Sequence, residues 1–173
     1  MGVSDRIGDG FYDVHGSFPE LGPPSAFPPL AALEAVPPRA STREVLLIDR
    51  RRDSMLVSIF EEAGAAVMAA GRCGYKLPQF QALARVVAGR MGGPVDSGAP
   101  GASEQQAMQW LELINEIKMR NKSVVVLLGQ LYVGLARHRA LLFKALADWM
   151  SLPCSLFKGA HAGGEPWAAA PCV

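Results

Sequence analysis

Apolar positions along this chain form two kinds of pattern, short continuous runs and stripes at helical spacing, and their order predicts strands alternating with helices. Glu44-Val45-Leu46-Leu47-Ile48-Asp49 is an apolar run bounded by charges, as a buried strand would be. After Arg50-Arg51-Arg52, Asp53 or Ser54 can cap a helix in which Met55, Leu56, Ile59, Phe60, Ala63 and Val67 recur at helical spacing. Pro78 suits the first turn of a second helix that runs to about Arg90, where Gly92-Gly93-Pro94 stops it. Ser103 and Gln106 have capping-box spacing, and Ala107, Trp110, Leu111, Ile114 and Ile117 give the third helix its apolar face. Ser123 to Leu128 is β-branched and continuous, a strand. Gly134 to Lys144 opens a fourth helix, whose stripe is His138, Leu141, Leu142, Ala145, Leu146 and Trp149. Leu152 to Phe157 reads as the last strand.

The flanks are of a different kind. From Phe18 to Pro38 the chain carries Pro23-Pro24, Pro28-Pro29 and Pro37-Pro38, which fix φ and remove donors, so extended irregular chain is expected. Phe11, Tyr12, Phe18 and Phe27 give it apolar anchors, and residues 1–43 therefore read as a wrapping segment around a domain at 44–159. Beyond Gly159 the Ala/Gly/Pro-rich stretch 160–173 reads as a loose tail.

Composition narrows the class. The 173 residues suit one domain; 50% are hydrophobic and 19% charged, a globular balance. A net charge of +1 excludes a strong whole-molecule field for nucleic acid or membrane. No apolar run approaches the roughly 20 residues needed to cross a bilayer. Met1 to Gly10 has Asp5 and Asp9 and no apolar core, so no secretory signal is expected. Three cysteines, Cys73, Cys154 and Cys172, are sparse and odd in number, which points to a reducing, cytoplasmic setting. None has metal-ligand spacing with a histidine, so neither a metal nor a cofactor is expected.

The helix entry at Gly134 is chemically the most unusual stretch. Arg137, His138 and Arg139 place three cations in a first turn, against the partial positive charge there. Arg137-His138-Arg139-Ala140-Leu141 superficially resembles a protein-kinase catalytic loop, but Ala140 stands where the catalytic Asp is required. In papain- or transglutaminase-like centres a cysteine opens the central helix, and here Ala136 occupies that place, where a methyl group cannot attack. Cys154 follows proline in an apolar strand context and reads as a packed thiol. His138 heads the apolar stripe and reads as a hydrogen-bonded histidine facing the core. Arg137 and Arg139 read as internally paired, with an anion grip as the other reading. Arg50-Arg51-Arg52 reads as a solvated turn with one arginine turned inward. His15 and His161 stand in loops and receive no role.

Four stretches carry a family resemblance: Asp9-Gly10-Phe11-Tyr12-Asp13; Glu44 to Arg50 followed by Asp53-Ser54; Met91-Gly92-Gly93-Pro94-Val95; and Gly134 to Lys144, continuing to Asp148, Leu152-Pro153-Cys154 and Lys158-Gly159. Together they resemble the N-terminal regulatory, peptidase-like domain of plant Raf-like MAP-kinase-kinase-kinases of the enhanced-disease-resistance and constitutive-triple-response type. A related domain ends certain armadillo-repeat proteins. The resemblance covers about Ser4 to Gly159, with Gly134, Ala136, Pro153, Cys154 and Gly159 as signature positions.

It implies an α+β, transglutaminase/papain-like fold used for regulation and protein binding, of the type with alanine at position 136. The implied partner is a protein, a Ser/Thr kinase domain or an upstream receptor, in stress, defence or ethylene-type signalling. No nucleic acid is implied; association with a membrane would be peripheral. Arg137, His138, Arg139 and Lys144 are expected to form the organising or partner-binding cluster, with Lys144 presented to solvent. After Lys158-Gly159 the family continues into further strands, whereas Ala160 to Val173 shows no such pattern, so an incomplete sheet is expected there. Ser155 stands where arginine is common. Two rival functions remain: a cysteine hydrolase or acyl transferase using Cys154, and an anion or phosphoinositide module built on the arginine clusters.

Overall fold

A computed structural model describes residues 2–3, 6–14, 21, 28–71, 76–94, 102–158 and 167–171. Phe18, Phe27, Cys73, Val95, Gly159, Cys172, His15 and His161 lie outside the described residues.

The apolar run at 45–48 forms the centre of the molecule. It is strand β3 (Val45–Ile48), following β1 (Gly2–Val3), β2 (Phe11–Val14) and a short helix α1 (Leu30–Glu34). All four β3 residues are fully buried, because the two sides of the strand feed two separate cores. Leu46 and Ile48 enter the main core, while Val45 and Leu47 pack with Leu33, Val36, Val124 and Val125 in a smaller one. A continuous rather than alternating run is the signature of such two-sided burial. On one flank β2 pairs with β3 antiparallel, Phe11 opposite Ile48 and Val14 opposite Val45. On the other, β4 (Val125–Leu127) pairs with it in parallel.

The helices follow their stripes closely. Asp53 caps α2 (Ser54–Ala69), its carboxylate accepting the Leu56 N–H at 3.0 Å, and Leu56, Ile59, Ala63 and Val67 face inward. Met55, counted in that stripe from the sequence, is 51% exposed. The helix α3 (Leu77–Arg90) has Pro78 in its first turn. The third stripe needs one correction. In α4 (Ala102–Asn121) the inward residues are Trp110, Leu113, Ile114 and Ile117, and Leu111 points outward. Ser103 and Gln106 are no capping box, because the helix has already begun at Ala102. The strand expected from Ser123 is shorter, and Leu128–Gln130 turns as a 3₁₀ segment.

The last helix, α5 (Ala136–Trp149), is buried on nearly every side and packs against α3 and a second sheet. That sheet has the order β1-β5-β6, with β5 (Cys154–Lys158) between antiparallel neighbours. The strand β6 (Trp167–Pro171) departs from the loose tail expected there, and the sheet gains a strand at the end where it was expected to be incomplete. Trp-Ala-Ala-Ala-Pro carries no strand pattern of its own; pairing with β5 supplies it with backbone partners. Similarly, the proline-rich stretch is not extended throughout, since Leu30–Glu34 makes a helical turn on the smaller core. The Tyr12 hydroxyl donates to the Pro28 carbonyl at 3.0 Å, tying that stretch to β2. The architecture is α+β, helices and small sheets around a shared core.

Candidate functional site

The entry of α5 gathers the sequence stretches that were singled out separately. Arg137, only 6% exposed, donates from Nε to Asp13 Oδ2 at 2.7 Å and from Nη1 to Glu44 Oε1 at 2.6 Å. Its Nη2 donates to the Asp13 carbonyl at 3.1 Å, so one guanidinium joins α5 to both β2 and the start of β3. Glu44 is 1% exposed. Burial raises the pKa of its carboxyl, but the hydrogen bond to His138 and the charge of Arg137 outweigh that cost and hold it below the ordinary value.

His138 completes this cluster. Its Nδ1 accepts the Leu135 N–H at 3.1 Å, the half of a capping box in which the third helical residue reaches back to the helix start. An accepting Nδ1 leaves the ring proton on Nε2, which faces Glu44 Oε1 at 3.0 Å. Trp110 packs on the ring at 5.5 Å between centroids. His138 is thus the hydrogen-bonded, core-facing histidine that its position in the stripe predicts.

Arg139 leaves the same turn on the other side. It donates to the carbonyls of Gly134 at 2.8 Å, Gly93 at 2.7 Å and Met91 at 2.6 Å. Burial lowers its pKa. Gly92 and Gly93 have φ of +90° and +87°, which turns this loop back so that its carbonyls meet the guanidinium. A Cβ on Gly134 would lie 2.5 Å from Met91 Sδ, so that side chain would have to shift to admit one. Each arginine thus makes three hydrogen bonds inside the molecule, the internal pairing expected of this turn.

Lys144 corrects an expectation. It is fully buried rather than presented to solvent, with Nζ 2.6 Å from both carboxylate oxygens of Asp148 one turn later. Asp148 Oδ2 also accepts the Ile7 N–H at 2.8 Å, which fastens the chain between β1 and β2 to α5. A second long-range carboxylate, Asp53, accepts the Gly129 N–H at 2.7 Å besides capping α2. Burial raises the pKa of Asp53. A Cβ on Gly129 would sit 2.5 Å from Leu56 N, so only glycine allows the contact.

In the turn at 50–52 the inward arginine expected from the sequence is instead paired at the surface, with the Arg50 side chain 35% exposed. Arg50 makes a two-pronged contact with Asp9, at 2.9 Å from Nη2, and lies over Trp149 at 4.3 Å. Arg52 pairs with Glu34 at 2.7 Å. Cys154 is 5% exposed, with Sγ near the Ser155 carbonyl at 3.9 Å. Ala136 opens α5 half-buried, and Pro153 leads into β5. Among the described residues no group of three His, Cys, Asp or Glu side chains could hold a metal, and no helix is long and apolar enough to cross a membrane.

Sequence reasoning missed the acidic half of the site. Asp13 and Glu44 stand in the sequence only as ends of motifs. The available signal was arithmetic: two arginines and a histidine expected to pair internally require carboxylates, and those nearest to apolar runs were the candidates.

The comparisons give this α+β chain its family and its class. The family model described as EDR1/CTR1/ARMC3, peptidase-like, matches residues 1–173, and this chain belongs to that family. It is 35% identical over 172 residues to an Arabidopsis thaliana protein described as "Probable serine/threonine-protein kinase SIS8", a match covering 95% of this chain and 16% of the relative. It is 35% identical over 163 residues to serine/threonine-protein kinase CTR1 of the same plant, covering 90% of this chain and 19% of CTR1. Human armadillo repeat-containing protein 3 is 38% identical over 89 residues, 51% of this chain and 9% of that protein. The chain thus spans less than a fifth of each relative. No solved structure matches it.

Proposed function

We propose that this chain is a non-catalytic regulatory domain that works by protein binding, with a transglutaminase/papain-like arrangement whose thiol position has become Ala136. The observation that carries this reading is the composition of the α5 entry. The helix start where a thiol hydrolase keeps its nucleophile holds a methyl group, and Arg137, His138 and Arg139 beside it are tied to carboxylates and carbonyls. A turn organised in this way holds strands, loop and helix in one relative placement, which suits a binding surface. The partner in this reading is a protein, a Ser/Thr kinase domain or an upstream receptor, as the kinase relatives suggest. The setting is signalling in the cytoplasm, with any membrane association peripheral.

The rival enzyme needs a reactive Cys154. Burial in the main core instead predicts that Cys154 is alkylated by iodoacetamide only after denaturant is added, as mass spectrometry of the labelled peptide would report. The binding reading is tested by co-purifying the whole chain with the kinase domain of the CTR1 relative. Retention of that domain supports it. Rapid labelling of Cys154 in the folded chain, with hydrolysis of a peptide or ester substrate, overturns it.

A further inference from the structure

A groove of about 320 Å³ lies between the 38–42 turn and α4. Its polar lining consists of Arg39, Ser41, Thr42, Asn115 and Lys118; among the described residues none of its lining is a carboxylate. Arg39, Thr42 and Asn115 are exposed. Lys118 is different, being only 2% exposed. Its Nζ donates to the Ser41 carbonyl at 2.7 Å, which uses one of an ammonium's three donors. Burial pushes the pKa of Lys118 down, and the charge of Glu44, reaching it from the α5 side, only partly offsets this. Ser41 Oγ accepts the Arg43 N–H at 3.0 Å, so its hydroxyl proton remains available to donate.

The groove therefore offers an ammonium, a guanidinium, two hydroxyls and an amide around a single space, with two positive charges in its lining. Donors in excess around a buried ammonium and an exposed guanidinium are what a doubly charged oxyanion requires. Pro38 and Met119 also line it and supply apolar surface, which a bare ion would leave unused but the atoms of a side chain would cover.

We propose that this groove binds a phosphoryl group carried on a serine or threonine of a protein partner. Lys118 and Arg39 meet its charge, Ser41, Thr42 and Asn115 fix its oxygens, and Pro38 and Met119 cover the carbon stem. The site does not depend on the α5 cluster being the binding surface, so it stands or falls separately from the reading above.

The test is NMR titration of the whole folded chain with three probes: N-acetyl-phosphoserine amide, its unphosphorylated counterpart and inorganic phosphate. The expected result is that the phosphoserine probe shifts the Ser41 and Thr42 amides and the Asn115 side-chain amide, and that the shifts weaken as salt is raised. Arg39→Gln, an exposed change that leaves the core intact, should weaken binding by at least about tenfold. Lys118→Met should abolish binding; because Lys118 is buried, that variant counts only if its spectrum remains folded, and Arg39→Gln decides otherwise. Equal binding of inorganic phosphate overturns the protein-borne source. Equal shifts with the unphosphorylated probe, indifference to Arg39→Gln, or no shift with any probe overturns the site.

Discussion

Glu44 is the residue on which most of the α5 entry depends. It stands at the head of an apolar strand, is almost completely buried, and receives both Arg137 and His138 on one oxygen. Its pKa is held below the ordinary value near 4.5, so its contribution is fully present above that value and is lost as pH falls through the lower folded one. Glu44→Gln removes one of the two carboxylates that meet Arg137, leaving Asp13, and should cost about 1–3 kcal/mol near neutral pH. It should also flatten the acid limb of stability below about pH 4.5. Urea unfolding followed across that range checks both; an acid limb unchanged in Glu44→Gln would show that other carboxylates carry it. The same residue shows why part of the site was hidden in sequence. A carboxylate at the boundary of an apolar run looks like the edge of a strand facing water. Only the count of inward cations indicates that it is buried.

At the scale of elements, α5 and the 91–94 loop form one unit through Arg139. Three carbonyls converge on one planar guanidinium, and the fork geometry matters as much as the charge. Arg139→Lys should therefore fail to restore the unit and lose about 2–3 kcal/mol, because a point ammonium cannot reach all three acceptors. Hydrogen exchange should localise the loss to Gly93 and the first turn of α5; uniform loss of protection across the molecule would contradict a local role. Elements differed in how legible they were. β3 and the inward faces of α2 and α5 could be read because burial on two sides or along one stripe leaves an unbroken or periodic apolar trace. The face of α4 was misjudged at Leu111 because Leu111 and Leu113 are equally apolar, and only the tertiary position of Trp110 and Ile114 decides between them. β6 left no trace, since its backbone pairing needs no particular side chains.

For the whole molecule, the described residues among the first fourteen are structural members and not an appendage. Ile7 lies in the main core and binds Asp148, Asp9 holds Arg50, and β2 covers one edge of β3 while Asp13 pairs with Arg137. A variant lacking residues 1–14 should lose the cooperative unfolding transition of the full chain, with loss of near-ultraviolet dichroism from Trp110 and Trp149. A cooperative transition retained in that variant would show that the remaining contacts suffice. The resemblance read from the sequence acquires a physical basis at this scale. The stretches at 9–13, 44–50, 91–94 and 134–148 are far apart in the chain but bonded to one another across α5.

The Lys144–Asp148 pair has one more consequence. Both side chains lie inside the protein, one turn apart, and Asp148 also accepts a main-chain proton from a distant segment. Sliding α5 along its axis by one residue would turn its side chains by about 100° and leave an ammonium and a carboxylate stranded among leucines. Apolar contacts alone would tolerate small slips of a helix this thoroughly buried. The pair does not, and it leaves the central helix a single rotational setting.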